Sequence, residues 1–187
     1  MNDPMAVYGI IIAILWTIFI LYWIISAVSV KKDVYRQGAW WQRAFVFAIA
    51  AFVLTNLVPA WREPLFPQSP AFAIAAIVLT AIGILFAVWA RIHLGANWSS
   101  QPALKEGHEL VTSGPYRFVR HPIYTGVILA FIGTALVNNM LWDVVILLVA
   151  IMFVRRVYAE DRLMARQFPD RYPEYKKRTK ALIPFVW

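Results

Sequence analysis

The chain has 187 residues, of which 61% are hydrophobic and 15% charged, and its formal net charge is +8. A soluble domain is usually about half apolar, so this composition favours one compact membrane-embedded unit. The chain contains no cysteine, which excludes a disulfide framework, a thiolate metal site and a cysteine nucleophile.

Five apolar segments follow one another along the chain, and a helix needs about 20 apolar residues to cross a bilayer. They cover residues 7–30, 40–60, 70–90, 123–137 and 140–154. The last two are shorter and nearly continuous, which indicates a hairpin of helices. We therefore predict an all-α, polytopic membrane bundle of about five transmembrane helices. The first segment has no basic residue before it, where Asp3 stands, and it is longer than the apolar part of a signal peptide, so we interpret it as a retained anchor.

The positive charges are unevenly distributed among the segments that join these spans. Seventeen of the 18 Lys and Arg residues fall in 31–43, 91–120 and 155–187, and the remaining one is Arg62. Positively charged loops face the cytoplasm. This pattern predicts an amino terminus outside and a carboxyl terminus inside, and it assigns the net charge to anionic lipid headgroups, not to nucleic acid.

The two long polar segments, 91–122 and 155–187, and all three histidines lie on the predicted cytoplasmic side. Glycines bracket the stretch His108–Val111, and Pro122 permits a helix to begin there. Neither a G-x-G-x-x-G pattern after a strand nor a P-loop is present, so the sequence does not support a soluble dinucleotide site.

Taken singly, the polar residues near the last two spans have ordinary structural interpretations. His121 could cap a helix, Tyr116 and Tyr124 could belong to an aromatic belt, and Arg156 with Glu160 could be a surface ion pair. Their concentration at one end of two spans is harder to explain in this way, because ionisable residues at membrane depth are functional candidates. The small residues Gly126, Ala130 and Gly133 favour close helix packing over a groove for a lipid chain.

The stretch GPYRFVRHPIYTG, a hydrophobic hairpin and the following EDRL and RYPEYKKRT segments resemble the isoprenylcysteine carboxyl methyltransferase family. That family belongs to a wider group that includes phospholipid methyltransferases. The RHPxYxG motif corresponds to 120–126 and the acidic pair to Glu160 and Asp161. The resemblance divides the chain into three amino-terminal spans, 1–90, and a methyltransferase region, 91–187.

The resemblance implies a membrane enzyme that uses S-adenosylmethionine and acts on a lipidic substrate. It implies that Arg156 meets the substrate and is the catalytic residue. It assigns no metal. The implied cofactor contacts are Gln101, His108, Glu109, Leu110, Val111, Tyr116, His121, Pro122, Ile123, Tyr124 and Glu160. The usual second glutamate is Asp161 here, so we assign less to that position, and any contact at Glu109 could be made by backbone.

The reaction expected from the resemblance is carboxyl methylation of an isoprenylcysteine-type acceptor. One alternative is methylation of a phospholipid amine or another lipophilic acceptor. A second is an NADPH-dependent sterol-type reductase, which has a similar HPxY segment. A third, a membrane scaffold or transporter subunit, predicts no cofactor binding.

Overall fold

The computed structural model describes residues 4–28, 30–31, 33–36, 63–99, 103–105 and 107–184. The predicted second apolar segment, 40–60, and the predicted cofactor contact Gln101 lie outside the described residues. Within these ranges the elements are α1 (Pro4–Ser26), β1 (Asp33–Arg36), α2 (Pro70–Leu94), β2 (Ala103–Lys105), α3 (Pro122–Ala135), α4 (Met140–Gln167) and α5 (Tyr172–Arg178).

Two of these helices are long and apolar enough to cross a bilayer, over Ala6–Ser26 and Pro70–Asn97. The α3 helix is apolar but shorter. The α4 helix has 28 residues and is apolar only up to Val154, after which its last turns carry six charged residues. Large apolar side chains such as Ile18 are exposed on the outer surface, as expected for contact with lipid. The helical membrane architecture is confirmed, whereas the five-span count and the orientation remain predictions.

Local sequence accounts for where the helices begin. Ser69 precedes α2 and accepts a hydrogen bond from the backbone N–H of Phe72, and Pro70 occupies the first turn. Asn139 caps α4 in the same way through the N–H of Trp142. A side-chain cap satisfies one of the four backbone donors that a helix start leaves free, and proline there has no donor to lose.

The α2 and α3 helices cross in near-backbone contact. A Cβ atom added to Gly83 would lie 2.4 Å from the backbone nitrogen of Ala130, and one added to Gly126 would lie 2.5 Å from the carbonyl oxygen of Gly83. A Cβ at Gly133 would lie 2.6 Å from the nitrogen of Thr80. The prediction that these small residues serve helix packing is therefore confirmed.

A short antiparallel strand pair joins the polar segments that follow α1 and α2. Asp33 of β1 is opposite Lys105 of β2, and Arg36 is opposite Ala103. The pair adds one small sheet to the predicted helical bundle. It forms because two extended segments at the same end of the bundle satisfy each other's backbone groups.

The carboxyl-terminal tail folds back onto the start of α3. The backbone N–H of Arg120 donates to Lys180 O at 2.8 Å, and that of His121 donates to Ala181 O at 3.1 Å. Thr125 Oγ1 donates to Leu182 O at 2.6 Å. These bonds hold the tail beside the polar ends of α3 and α4, where the candidate site lies.

Candidate active site

A cavity of about 400 Å³ opens where the polar ends of the helices meet. This volume lies within the range of about 300–1,000 Å³ that is usual for small-molecule sites. Ten of the predicted site residues line it: His108, Glu109, Leu110, Val111, Tyr116, His121, Ile123, Tyr124, Arg156 and Glu160. Pro122 is buried at the start of α3 and does not line the cavity.

Glu160 is at the centre of the polar end of this cavity. Its Oε1 accepts hydrogen bonds from Tyr124 Oη at 2.5 Å and from Arg156 Nε at 2.9 Å. Its Oε2 lies 3.3 Å from His121 Nδ1. Arg156 and Glu160 share one face of α4 because they are four residues apart, and His121 and Tyr124 meet them from the start of α3. The structure thus brings together four of the residues that the sequence singled out.

Asp161, the residue after Glu160, forms a second ionic centre behind His121. Its Oδ1 lies 3.0 Å from His121 Nε2 and accepts a hydrogen bond from Tyr172 Oη. Its Oδ2 lies 3.3 Å from Arg120 Nη2 and 3.2 Å from Lys176 Nζ. One carboxylate therefore links α4 to the start of α3 and to α5.

The two carboxylates are ionised at neutral pH, and their contacts with His121 favour its protonated form. Burial by itself would raise the pKa of Glu160, but the hydrogen bond from His121 and the charge of Arg156 lower it to about 2. The pKa of Asp161 is lowered well below its ordinary value, because hydrogen bonds from His121 and Tyr172 outweigh its burial. Burial would lower the pKa of His121, but hydrogen bonds to Asp161 and Glu160 raise it above its ordinary value.

Aromatic rings surround this ionic cluster. The ring of Tyr124 stacks on His121 with centroids 5.7 Å apart and on Phe153 with centroids 4.8 Å apart. The guanidinium carbon of Arg156 lies 5.4 Å from the centroid of the Tyr124 ring. Tyr124 is therefore held by both ring and hydroxyl contacts, which gives the site a fixed geometry.

Tyr116 is buried beneath the cavity and anchored at both ends. Its hydroxyl donates to Ala90 O at 3.4 Å, and its carbonyl accepts from Tyr175 Oη at 2.6 Å. Burial raises the pKa of Tyr116 far above its ordinary value, so the phenol stays neutral. Tyr116 links α2, the short turn Gly114–Arg117 and α5.

Contacts from the amino-terminal half position the loop that carries residues 107–111. Lys31 Nζ donates to Gly107 O at 2.7 Å and to Asn97 Oδ1 at 3.1 Å. The backbone N–H of Glu109 donates to the same Asn97 oxygen at 3.4 Å. The side chain of Glu109 is exposed, in agreement with a role for its backbone in that loop.

Part of the cavity lining is apolar. Phe19 and Trp23 of α1, Val127 of α3 and Phe153 of α4 contribute to it. The cavity therefore combines the ionic cluster with apolar side chains from three helices.

Sequence reasoning missed three members of the ionic end: Arg120, Asp161 and Tyr172. In the sequence, Arg120 is recognisable only as the first residue of the RHPxYxG motif, and Asp161 has little weight because it is shorter than the usual glutamate. The mixture of acidic and basic residues in the tail indicates that ion pairs can form there, but it does not predict that α5 packs beside Asp161. His93 has a structural role, since its Nε2 lies 2.8 Å from Ser113 Oγ.

The described residues contain no group of three or more histidine, aspartate or glutamate side chains arranged to hold a metal ion. The donor set instead suits an organic ion. It offers carboxylates, a guanidinium and a charged imidazole around a partly apolar cavity.

Comparisons with known proteins agree with this arrangement. A family model described as phospholipid methyltransferase matches residues 71–171, more than half of the chain. The solved structure of the eukaryotic intramembrane Ras methyltransferase ICMT (isoprenylcysteine carboxyl methyltransferase) superposes with a TM-score of 0.53 and 25% identity. The match covers 82% of this chain and 55% of that one.

Curated relatives include a probable protein-S-isoprenylcysteine O-methyltransferase of Oryza sativa subsp. indica, 25% identical over 169 residues that cover 88% of both chains. The protein-S-isoprenylcysteine O-methyltransferase of Rattus norvegicus is 28% identical over 88% of this chain and 60% of its own length. The cobalt-zinc-cadmium resistance protein CzcN of Cupriavidus metallidurans is 29% identical over 80% of this chain and 64% of its own length.

This chain thus spans less than two thirds of the length of the rat and Cupriavidus proteins. The family match nevertheless covers α2 to α4, and with them the motif residues 120–126 and the acidic pair. The chain therefore belongs to the phospholipid methyltransferase family, and its resemblance to the isoprenylcysteine carboxyl methyltransferases of that family is confirmed.

Proposed function

We propose that this protein transfers a methyl group from S-adenosylmethionine to the carboxylate of an isoprenylcysteine-type acceptor at the cytoplasmic membrane surface. The observation that carries the proposal is that one cavity is lined both by the Glu160 cluster and by the apolar side chains of Phe19, Trp23, Val127 and Phe153. A charged donor suits the ionic part of this lining, and a lipid chain suits the apolar part.

The ionic end offers partners for each charged group of the donor. The carboxylate of Glu160 can pair with the ammonium group, and the N–H group at His121 Nδ1, on the same side as Glu160, can donate to the carboxylate. The backbone of 108–111 can hydrogen-bond the adenine while Leu110 and Val111 pack against it. When bound, S-adenosylmethionine supplies an electrophilic methyl group on a sulfonium.

The protonation states favour a carboxylate acceptor over an amine. A carboxylate with a reference pKa of about 3.5 is already ionised near neutral pH and needs no base. Glu160, with a pKa of about 2, is a weak base. Both ring nitrogens of His121 already face carboxylates. An amine acceptor would need a base that these residues do not provide.

Arg156 is the residue that we assign to the acceptor. Its Nε donates to Glu160, and its Nη2 donates to Ser99 O at 3.3 Å, so the guanidinium has a fixed position at the cavity wall. A held guanidinium orients a carboxylate at little entropic cost, and orientation can supply up to about 7–11 kcal/mol of the barrier reduction.

The test is binding of labelled S-adenosylmethionine to detergent-purified protein. We expect saturable binding by wild type and at least about tenfold weaker binding by Glu160→Ala and His121→Ala, because each loses a charge-assisted hydrogen bond. Glu174→Ala is the matched control, since Glu174 is exposed on α5 and pairs only with Arg178 among the described residues. Equal binding by all four proteins would refute the site. Saturable binding of NADPH instead would support the reductase alternative.

A further inference from the structure

Asp161 is a buried carboxylate that contacts several charged and polar side chains, although it does not face the cavity. Only 7% of its side chain is exposed, and it does not line the cavity. Four side chains from two parts of the chain, the start of α3 and α5, contact it: Arg120, His121, Tyr172 and Lys176. It therefore acts through other residues and not on a bound molecule.

The contact with His121 has a specific chemical consequence. A carboxylate only accepts hydrogen bonds, so a ring nitrogen that faces one must carry a proton. His121 Nε2 faces Asp161 at 3.0 Å and His121 Nδ1 faces Glu160 at 3.3 Å. Both nitrogens must then be protonated, and the ring presents an N–H group on the side where Glu160 lines the cavity.

We propose that Asp161 is a positioning residue that keeps His121 doubly protonated and directs its Nδ1–H toward the charged end of the cavity. This inference rests on the proposed function only for what the N–H group would bind, an anionic group such as the carboxylate of the methyl donor. The geometry of Asp161 itself is independent of any ligand.

The surroundings of His121 support this role. Glu160 and Asp161 face it from α4, the Tyr124 ring stacks on it from α3, and Arg120 precedes it in the chain. On α5, Tyr172 and Lys176 reach the ring only through Asp161. Asp161 therefore supplies one of the two negative charges in contact with the ring, and it couples the ring to the carboxyl-terminal helix.

Removing this charge while keeping the shape separates positioning from simple packing. In Asp161→Asn the amide oxygen can still accept from Nε2–H, so the ring keeps its place. The amide N–H can equally donate to an unprotonated Nε2, so the variant removes the negative charge that favours the second ring proton. Asp161→Glu keeps the negative charge and tests whether charge is what matters. Glu174→Gln is the matched control, because it removes an exposed carboxylate on α5 outside the cavity.

The first test is a ¹⁵N NMR titration of histidine-labelled protein in detergent, which reads the ring directly because the chain has only three histidines. We expect wild type, Asp161→Glu and Glu174→Gln to share one titration midpoint for His121, and Asp161→Asn to titrate at clearly lower pH. A wild-type ring with one unprotonated nitrogen at neutral pH would overturn the proposal, as would an unchanged midpoint in Asp161→Asn. If Asp161→Asn does not fold, the wild-type spectrum decides through Nε2, the nitrogen that faces Asp161, which must carry a proton at neutral pH.

The second test measures donor affinity against pH. In Asp161→Asn we expect binding near the wild-type value at low pH and weaker binding above the midpoint of its ring, because a neutral imidazole donates a weaker hydrogen bond to an anion than an imidazolium does. A loss that is equal at every pH would mean a packing role and would contradict the proposal. Wild type that binds no donor would refute the proposed function, while the NMR result would still decide the role of Asp161.

Discussion

At the scale of single residues, the site depends on buried ion pairs between Glu160, Asp161 and the cationic side chains around them. Each carboxylate loses its hydrating water on burial and instead accepts hydrogen bonds from protein groups at 2.5–3.4 Å. Buried ion pairs of this kind stabilise a fold weakly but are strongly destabilising when one partner is removed. Charge in this cluster should therefore control both stability and binding.

The pKa values give this expectation a direction. A carboxyl group with a lowered pKa stabilises the fold fully above its unfolded pKa, about 4.3 for glutamate, and the contribution is lost as pH falls through the folded value. For Glu160 that loss extends down to about pH 2. His121 has a raised pKa, so its contribution is complete below about 6.5 and is lost as pH rises through the folded value.

We therefore expect the thermal unfolding midpoint in detergent to be highest between about pH 4.5 and 6.5. Glu160→Gln should flatten its decline on the acid side, whereas Glu174→Gln, on the exposed face of α5, should follow wild type. If the unfolding midpoints of Glu160→Gln and wild type declined equally at acid pH, the ionisation of Glu160 would not be coupled to folding.

Part of the site could be predicted from the sequence, and there is a physical reason why the other part could not. The resemblance to a known family implies His121, Tyr124, Arg156 and Glu160 together, because they lie in or near its two motifs. Asp161 gains its role from Tyr172 and Lys176 on α5 and from Arg120, which lies 41 residues away in the chain. No local pattern specifies where a short tail helix will fold.

At the scale of elements, the crossing of α2 and α3 sets the position of the motif at the start of α3. Glycine at 83, 126 and 133 removes the side chains that would separate the backbones. Lipid supplies no hydrophobic driving force for helix association, so the helices depend on van der Waals attraction, which is strong only at such close contact. The small-residue spacing in 126–133 predicted this packing, whereas the partner Gly83 is recognisable only in the structure.

We expect Gly83→Ala to lower the unfolding midpoint, corresponding to about 1–3 kcal/mol, because its Cβ would overlap the backbone of Ala130. Gly9→Ala on α1 is the matched control, since nothing lies within 4 Å of a Cβ there. That control should be neutral or slightly stabilising because alanine favours helix. Equal behaviour of the two variants in thermal unfolding would contradict a tight crossing.

The strand pair was not predicted, because β1 and β2 have only four and three residues and no alternating apolar pattern. Their pairing depends on two polar segments meeting at one end of the bundle. It is a consequence of helix packing and not of strand propensity.

At the scale of the whole molecule, the bundle has two chemically different ends. The segment before α2 meets the α3–α4 turn, where Pro64 bridges to Asn139. The cavity, the tail and the excess of basic residues lie at the opposite end of α2, which is about 37 Å long for 25 residues. From the positive-inside rule we predict that this basic end faces the cytoplasm.

The absence of cysteine makes this orientation directly testable. Leu65→Cys and Lys177→Cys each place one thiol at an exposed position at opposite ends of the molecule. In intact expressing cells, we expect a membrane-impermeant maleimide to label the thiol at 65 and to reach that at 177 only after permeabilisation. The reverse labelling would invert the topology.

The most direct measurement of the proposed function is methyl transfer from S-adenosylmethionine labelled in its methyl group to a farnesylated cysteine with a free carboxylate. The matched control acceptor is the same molecule as its methyl ester. We expect the purified protein to label the free acid, to release that label as methanol in base as a carboxyl ester does, and to leave the methyl ester unlabelled. Equal labelling of both acceptors, or a base-stable product, would contradict carboxyl methylation by this cavity.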